Sequence, residues 1–504
     1  MTGVKGRTAP SVIVIGAGLG GIAAGVFARK AGVTDLTILE KSSGPGGTWL
    51  DTRYPGAACD VMSHLYSYSF AQKKDWSRTC APRDEILAYI EDVVDRFDLR
   101  RFCRFDTGVR SAVWSTDSAR WTVTTQAGEE LSADVLVTAV GLLNEPKYPD
   151  WPGLESFTGP VMHTARWRRE LSLDGCRVAV VGTGSSAAQV VPALAPQVKH
   201  LTVFQREPGW VLPKDDRPFT EEELQEFRTS RWAAQRRRWK LYWLNERGVL
   251  ALDPKTKRHA IATQMAVDWL NKTVKDPATR EKLLPAYPFG CKRPVADRIY
   301  YDTFNRPNVD LVPLPVTAVR PHALVTDDGA EHEVDAVVLA TGFQATEFLH
   351  TVEIIGEDGV RLQEVWDKAG GAEAFLGISV NGFPNLFMLY GPNTNSASNS
   401  VIFNLECQAR YIASAIGSIA RRRGAIEVRS GVQDRYNRWL QSRVPAKTWE
   451  SGCQNYYHSE TGKLVTNWPG SSVLYWAMTK LLRPTVPGLY RTRRAHRRNR
   501  VTAP

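Results

Sequence analysis

The sequence predicts an α/β protein with two Rossmann-like dinucleotide-binding domains and a helical insertion. Two observations lead there. A β-branched apolar run that ends in a glycine-rich turn and opens an Ala-rich helical stretch occurs twice, about 165 residues apart. After the second turn comes a long, Trp-rich, charged segment with helical spacing and few strand signals.

Composition narrows the class. At 504 residues, with 43% hydrophobic and 23% charged content, the chain is an ordinary globular protein large enough for two or three domains. The nearest approach to a membrane span, residues 12–28, is broken by five glycines and reads as strand, turn and helix. The start, MTGVKGRTAP, lacks the apolar core of a secretory signal. Cys59, Cys80, Cys103, Cys176, Cys291, Cys407 and Cys453 are scattered, odd in number and free of any CxxC pair. That pattern predicts reduced thiols in a cytoplasmic protein, and argues against a dithiol reductase or a structural zinc site. The net charge of +11 gathers at 228–240 and at the end, where Arg491, Arg493, Arg494, Arg497, Arg498 and Arg500 crowd together. No nucleic-acid motif accompanies them, so the end reads as a solvated basic tail.

The first unit begins with the strand 11–15 and the turn Gly16-Ala17-Gly18-Leu19-Gly20-Gly21. Gly16 allows the tight turn, Gly18 lets phosphates approach the backbone, and Gly21 lets the helix pack closely on the strand. A second strand, 36–39, ends in Glu40, placed where a carboxylate accepts both ribose hydroxyls of an adenosine. An acid there suits FAD or NAD and not NADP. Next comes GGTWLDTRYPGAACD, residues 46–60: paired glycines for close approach to a flat ligand, Trp49 to cover it, and a Tyr54-Pro55-Gly56 turn that brings Asp60 back. A helix near 83–97 and antiparallel segments at 109–114, 121–125 and 131–140 follow, and Pro146, Pro149 and Pro152 mark a linker.

The second unit contains FTGPVMHTARW at 157–167, where His163 taken alone reads as a satisfied loop histidine. A strand at 177–181 meets Gly182-Thr183-Gly184-Ser185-Ser186-Ala187, and the next strand ends in Gln205-Arg206 where the first unit has Glu40. Arginine there suits the 2′-phosphate of NADP, while Glu207 beside it works against that preference. Residues 217–284 read as the insertion, whose aromatic face is either a wall of a substrate pocket or a packing surface. The loop 288–294 carries Lys292 and Arg293, and DAVVLATGF at 335–343 closes the unit. The domain expectation is 1–148, then 149–335 with an insertion at about 217–287, then 336–490 completing the first unit, then a disordered tail at 491–504.

Gly46, Gly47, Trp49, Tyr54, Pro55, Gly56 and Asp60 resemble the long fingerprint of the Baeyer–Villiger monooxygenases, and Phe157, Gly159, His163 and Trp167 the shorter one. The resemblance spans 12–478. It departs at Arg168, where the family has Pro or Asp, and at Tyr456, where relatives have Trp. It implies FAD held by Gly16, Gly18, Gly21, Glu40, Gly47, Thr48, Trp49, Asp60, Tyr66 and Val109. It implies NADPH held by Gly182, Thr183, Gly184, Ser185, Ser186, Gln189, Arg206 and Lys292. It further implies a C4a-peroxyflavin that attacks a ketone, Arg293 as the catalytic cation, Asp60 as its anchor, and 157–167 as a coupling element between domains. The partners expected are a small ketone and O₂, with neither nucleic acid nor a membrane span. An N- or S-oxidising monooxygenase on the same fold is the alternative, and a binding protein acting through the basic tail a second one.

Overall fold

The computed structural model describes residues 9–493 apart from 231, 398 and 423. Two five-stranded, wholly parallel sheets organise it. The first runs in the order Leu386–Met388, Val135–Thr138, Val12–Ile15, Leu36–Leu39, Cys103–Arg104. The second runs Val309–Val312, His200–Phe204, Arg177–Val181, Ala336–Leu339, Val161–His163. Central strands such as VIVI at 12–15 and AVVL at 336–339 are buried at every residue. Unbroken apolar runs are what a parallel sheet covered on both faces requires.

The two glycine turns are built alike. Gly16 has φ +103° and Gly182 φ +130°. A Cβ on Gly16 would stand 2.6 Å from the Ala139 carbonyl oxygen, and one on Gly182 2.3 Å from that of Ala340. Each turn is therefore pressed against the end of the neighbouring strand, and only glycine fits. Gly21 is tighter still, since its Cβ would lie 1.8 Å from the Gly16 carbonyl oxygen.

A small sheet of Glu353–Ile355, Val109–Ser115, Arg120–Thr125 and Glu130–Ala133 lies beside the first core. The insertion is helical at Glu221–Thr229, Ala233–Gly248, Lys257–Thr273 and Pro277–Leu283. Thr220 and Glu223 form a reciprocal capping box at the first of these, and Thr256 and Asp276 cap the last two. In Ala233–Gly248 the inward stripe is Ala233, Ala234, Arg238, Leu241 and Tyr242. Arg238 donates to the carbonyl oxygens of His64, Leu65 and Ser67, which pulls its face of the helix inward. Trp239 and Trp243 consequently point outward, 54% and 48% exposed.

Three expectations change. Strand Ala336–Leu339 pairs with Arg177–Val181 and Val161–His163, so the chain leaves the second sheet after this strand and not at 336. The tail does not begin at 491, because Tyr490–Arg493 is a strand paired with Ala425–Val428. It is held there by Arg491 and Arg493 on the buried Glu427 carboxylate, both through Nε, at 2.8 and 2.7 Å; the remainder, 494–504, lies outside the described residues. Finally, Cys291 and Cys453, 162 residues apart, form a disulfide, where free thiols were expected throughout. Spacing arguments look for local pairs and are blind to loops that meet only in three dimensions. Among the described residues, no helix is long and apolar enough to cross a membrane.

Gly21→Ala tests the turn. The added methyl must displace backbone, so the variant should lose about 1–3 kcal/mol of stability and, with the FAD that the resemblance implies, retain less flavin on purification. Thermal unfolding and the visible absorbance of the purified protein read both, and an unchanged melting point would mean that the turn tolerates a side chain.

Candidate active site

A single cavity of about 1570 Å³ takes its walls from both glycine turns. That exceeds the roughly 300–1,000 Å³ of an ordinary small-ligand pocket. Helices Leu19–Lys30 and Ser185–Leu194 start behind Gly18 and Gly184 without a side-chain cap, so their first N–H groups are left for a ligand. Two uncapped helix starts on one cavity present the chemistry that suits two phosphate groups. At the first, Glu40 is buried; its Oε2 accepts from the Ala17 N–H at 2.7 Å and its Oε1 from the Ser42 N–H at 2.9 Å. Each oxygen keeps a lone pair for a ribose hydroxyl.

Residues 46–60 cross from one unit to the other. Gly47, at φ +54°, lies so close that its Cβ would sit 3.0 Å from the Gly18 Cα. Thr48, Trp49, Tyr66 and Val109 line the cavity, and the Trp49 indole donates to the Tyr66 hydroxyl at 3.1 Å. Trp49 packs in the core of the first unit, whereas Tyr54 and Ala57 pack in that of the second. The Tyr54 hydroxyl donates to Gln189 Oε1 at 2.8 Å, and Gln189 Nε2 donates to the Ala58 carbonyl at 2.9 Å. Gly56, at φ +83°, allows this approach, since a Cβ there would be 2.6 Å from the Gln189 carbonyl oxygen. Burial pushes Tyr54 up to about 12, so it remains a donor. Gln189 lines the cavity, but its amide is taken up by Tyr54 and Ala58.

At the end of this stretch Asp60 Oδ2 accepts from Arg293 Nη2 at 2.8 Å, across 233 residues of sequence. Their side chains are 19% and 42% exposed, and both face the cavity. Burial would raise the Asp60 carboxyl, but the charge and hydrogen bond of Arg293, helped by Lys214, hold it below the usual carboxylate range. Asp60 in turn raises the guanidinium further above its ordinary value. Both groups are charged at neutral pH. Tyr390, Tyr456 and Asn455 complete this wall.

At the second turn, Thr183, Gly184, Ser185, Ser186, Arg206 and Lys292 all line the cavity. Lys292 makes an ion pair with Glu207 and sits 5.0 Å above the Tyr287 ring. Among the described residues Arg206 has no ion pair, so Glu207 offsets Lys292 and leaves the Arg206 charge open. Sequence reasoning missed the cavity rims at Ala139-Val140-Gly141 and Ala340-Thr341-Gly342. The signal was present as an Ala-x-Gly at the end of each buried strand.

Of the second fingerprint, Phe157, Gly159, His163 and Trp167 stay off the cavity, whereas Thr164 and Ala165 between them line it. Phe157 is buried in a core of its own, a Cβ on Gly159 would meet the Asp335 carbonyl oxygen at 2.0 Å, and Trp167 packs against the second core. His163 is 1% exposed between the rings of Tyr148 and Phe343, at 5.4 and 6.0 Å. Its Nδ1 accepts from the Ala165 N–H at 3.0 Å, which places the proton on Nε2. Arg168, the departing residue, is exposed and reaches the Val161 carbonyl only at 3.5 Å.

Burial lowers His163 to about 4, and the buried His64 to about 4 as well. The unfolded chain binds these protons from about pH 6.5 downward while the folded chain resists them. Stability should be full above about pH 6.5, fall as pH drops towards 4 by up to about 1.4 kcal/mol per pH unit per histidine, and level off below. Melting temperature against pH checks this, with the two imidazole proton resonances as site-specific readouts. A titration of either ring near 6.5 would refute the neutral assignment.

The comparisons agree with this geometry. Residues 13–238 match the family model of pyridine nucleotide-disulphide oxidoreductases. A Baeyer–Villiger monooxygenase of Streptomyces coelicolor is 40% identical, with 93% of this chain and 90% of that one covered. The structure of a cyclohexanone monooxygenase from Rhodococcus sp. Phi1 bound to NADP⁺ superposes with a TM-score of 0.85 at 32% identity, covering 97% of this chain and 100% of that one. An OTEMO complex with FAD and NADP gives 0.83 at 27% identity, over 94% and 97% of the two chains. With two glycine turns on one cavity and relatives matched along nearly their whole length, the chain belongs to the Baeyer–Villiger monooxygenases, flavoproteins that use FAD and NADPH.

Proposed function

We propose that this monooxygenase inserts one atom of O₂ beside the carbonyl of a ketone, giving an ester or lactone, and that the reaction takes place at the Arg293–Asp60 pair. The observation that carries the proposal is a guanidinium from the second unit held 2.8 Å from a carboxylate of the first, on the cavity that both turns share. Likeness to a cyclohexanone monooxygenase supports a ketone substrate.

FAD fits the first unit, residues 9–148 together with the chain after 339 through the strand Tyr490–Arg493. Gly16, Gly18, Gly47 and Thr48 offer backbone to its phosphates, Gly21 lets the helix behind them pack close, Glu40 takes its ribose, and Trp49, Asp60, Tyr66 and Val109 stand along its length. NADPH fits the second unit, 149–339, with Gly182, Thr183, Gly184, Ser185 and Ser186 at its pyrophosphate and Arg206 with Lys292 at its 2′-phosphate. When bound, NADPH supplies hydride to the flavin, and the reduced flavin supplies the electrons that activate O₂.

The protein's own share is electrostatic and steric. Arg293 provides fixed positive charge where negative charge develops on the transferred oxygen and on the carbonyl oxygen. Asp60, kept ionised, holds the guanidinium in place without matching its extended donor set, so Nη1 and Nε remain for substrate. Trp49, Tyr66, Tyr390 and Tyr456 line the site with large side chains that displace water, which strengthens every charge interaction inside it. Residues 157–167 act at a distance, fixing the linker to the second sheet and so coupling movement of one unit to the other.

Arg293→Ala should lower ester formation by about 100- to 1,000-fold while reduction of the flavin by NADPH stays within a few-fold of wild type. Anaerobic stopped-flow reduction and product mass on a panel of ketones, sulfides and amines, cyclohexanone included, separate the two steps. Ester formed at wild-type rate removes Arg293 from the reaction, and oxygenated sulfide or amine with no ester moves the enzyme to the alternative activity.

Glu207→Gln should free Lys292 for the 2′-phosphate. NADPH should then bind about fivefold more tightly, the value of a partly exposed ion pair, with NADH unaffected. Titration of both nucleotides decides it, and equal gains for the two would mean that Lys292 does not read the 2′-phosphate.

A further inference from the structure

The disulfide joins two loops that meet on the wall of the cavity. Cys291 is fully buried and stands two residues before Arg293; Cys453 stands three residues before Tyr456. Lys292, Arg293, Gln454, Asn455 and Tyr456 all line the cavity. Each loop is well tied to its own surroundings. On one side Lys292 is paired with Glu207 and Arg293 with Asp60. On the other, Asn455 Nδ2 donates to the Trp449 carbonyl at 3.1 Å, and Asn455 Oδ1 accepts from the Tyr457 N–H at 3.0 Å. Among the described residues, however, no hydrogen bond or ion pair joins 291–293 to 453–457. Among the described residues the bridge is therefore the one covalent link between the loop that carries the cation and the loop that carries the aromatic wall beside it.

We propose that the Cys291–Cys453 bridge is a positioning element of the oxygenation step. By tying the arginine loop to residues 453–457 it keeps Tyr456 beside the Arg293 guanidinium, and its reduction lowers the share of NADPH consumption that ends in oxygenated product. The proposal rests on the reading of Arg293 given above. Neither cysteine touches substrate or cofactor in this role; both act through the loops they hold. Opening the bridge needs a two-electron reductant: a trialkylphosphine attacks one sulfur, the S–S bond breaks, and with one water the products are two thiols and a phosphine oxide. Closing it returns two electrons and two protons to an oxidant such as oxidised glutathione, which leaves as two thiols.

The holoenzyme is incubated with or without a phosphine reductant, alkylated and mapped by mass spectrometry, while NADPH consumed, oxygenated product and hydrogen peroxide are counted on cyclohexanone or whichever panel ketone yields product. The untreated protein should show both cysteines unlabelled, and reduction should expose both. Anaerobic flavin reduction by NADPH should stay within twofold, the product formed per NADPH should fall at least threefold with peroxide making up the difference, and oxidised glutathione should restore it. Cys453→Ser should behave as the reduced enzyme and respond to neither reagent, with circular dichroism confirming that it is folded. Should Cys453→Ser fail to fold, the reversible change in the wild type carries the test. Alkylation of both cysteines in the untreated protein overturns the proposal. So does a lower melting point with unchanged product per NADPH, which would make the bridge a stabilising link only. If Arg293→Ala itself leaves ester formation intact, the underlying reading fails; if it abolishes product while opening the bridge does not alter coupling, only the positioning role does.

Discussion

Asp60 and Arg293 form a charged pair that neither unit could keep alone. The carboxylate arrives on a loop of the first sheet and the guanidinium on a loop of the second, and the two meet on the cavity both units share. Without Arg293 the carboxylate would lose the charge that holds its proton affinity down, and without Asp60 the guanidinium would lose the charge that compensates it. The pair is therefore stable only when the two units sit in register. What surrounds it keeps that register: the Tyr54–Gln189–Ala58 crossing, the close pass of Gly56 over the Gln189 backbone, and the division of one short stretch between two hydrophobic cores.

The glycine turns impose a second condition of the same kind. Gly16 and Gly182 are each pressed on the alanine that directly follows the adjacent strand, and Gly47 is pressed on Gly18. Backbone meets backbone at these places with no side chain between, which brings N–H groups to the cavity in rows. At both turns rigidity comes from this contact and not from hydrogen-bonded side chains.

Most of this plan was legible in the sequence, because a glycine turn between a β-branched run and an Ala-rich helix has few other physical explanations. Glu40 and Arg206 could be placed because each follows its strand at the distance the motif requires. The Asp60–Arg293 pairing was legible only through family resemblance, since no periodicity links residues 233 positions apart. What could not be read is tertiary by nature: the membership of Ala336–Leu339 in the second sheet, the burial of Glu427 under Arg491 and Arg493, and the meeting of Cys291 with Cys453. The aromatic face of the insertion was ambiguous for another reason. Helical spacing identifies a face but not its direction, and here Arg238, by seeking three carbonyls, decided which side turned inward.

That same insertion is divided between two loyalties. Phe219, Phe227, Ala233, Ala234 and Leu252 belong to the core of the first unit, while Leu270, Val274 and Leu283 belong to that of the second. Glu246 adds to the first attachment through Asn399 and the Val473 N–H. Although the insertion interrupts the second unit in sequence, its leading half is bolted to the first. The seam between the cores thus runs through its middle, near the short turn that Asp253 and Thr256 close at 3.1 Å. The insertion therefore spans the joint, and these four residues are where it passes from one core to the other.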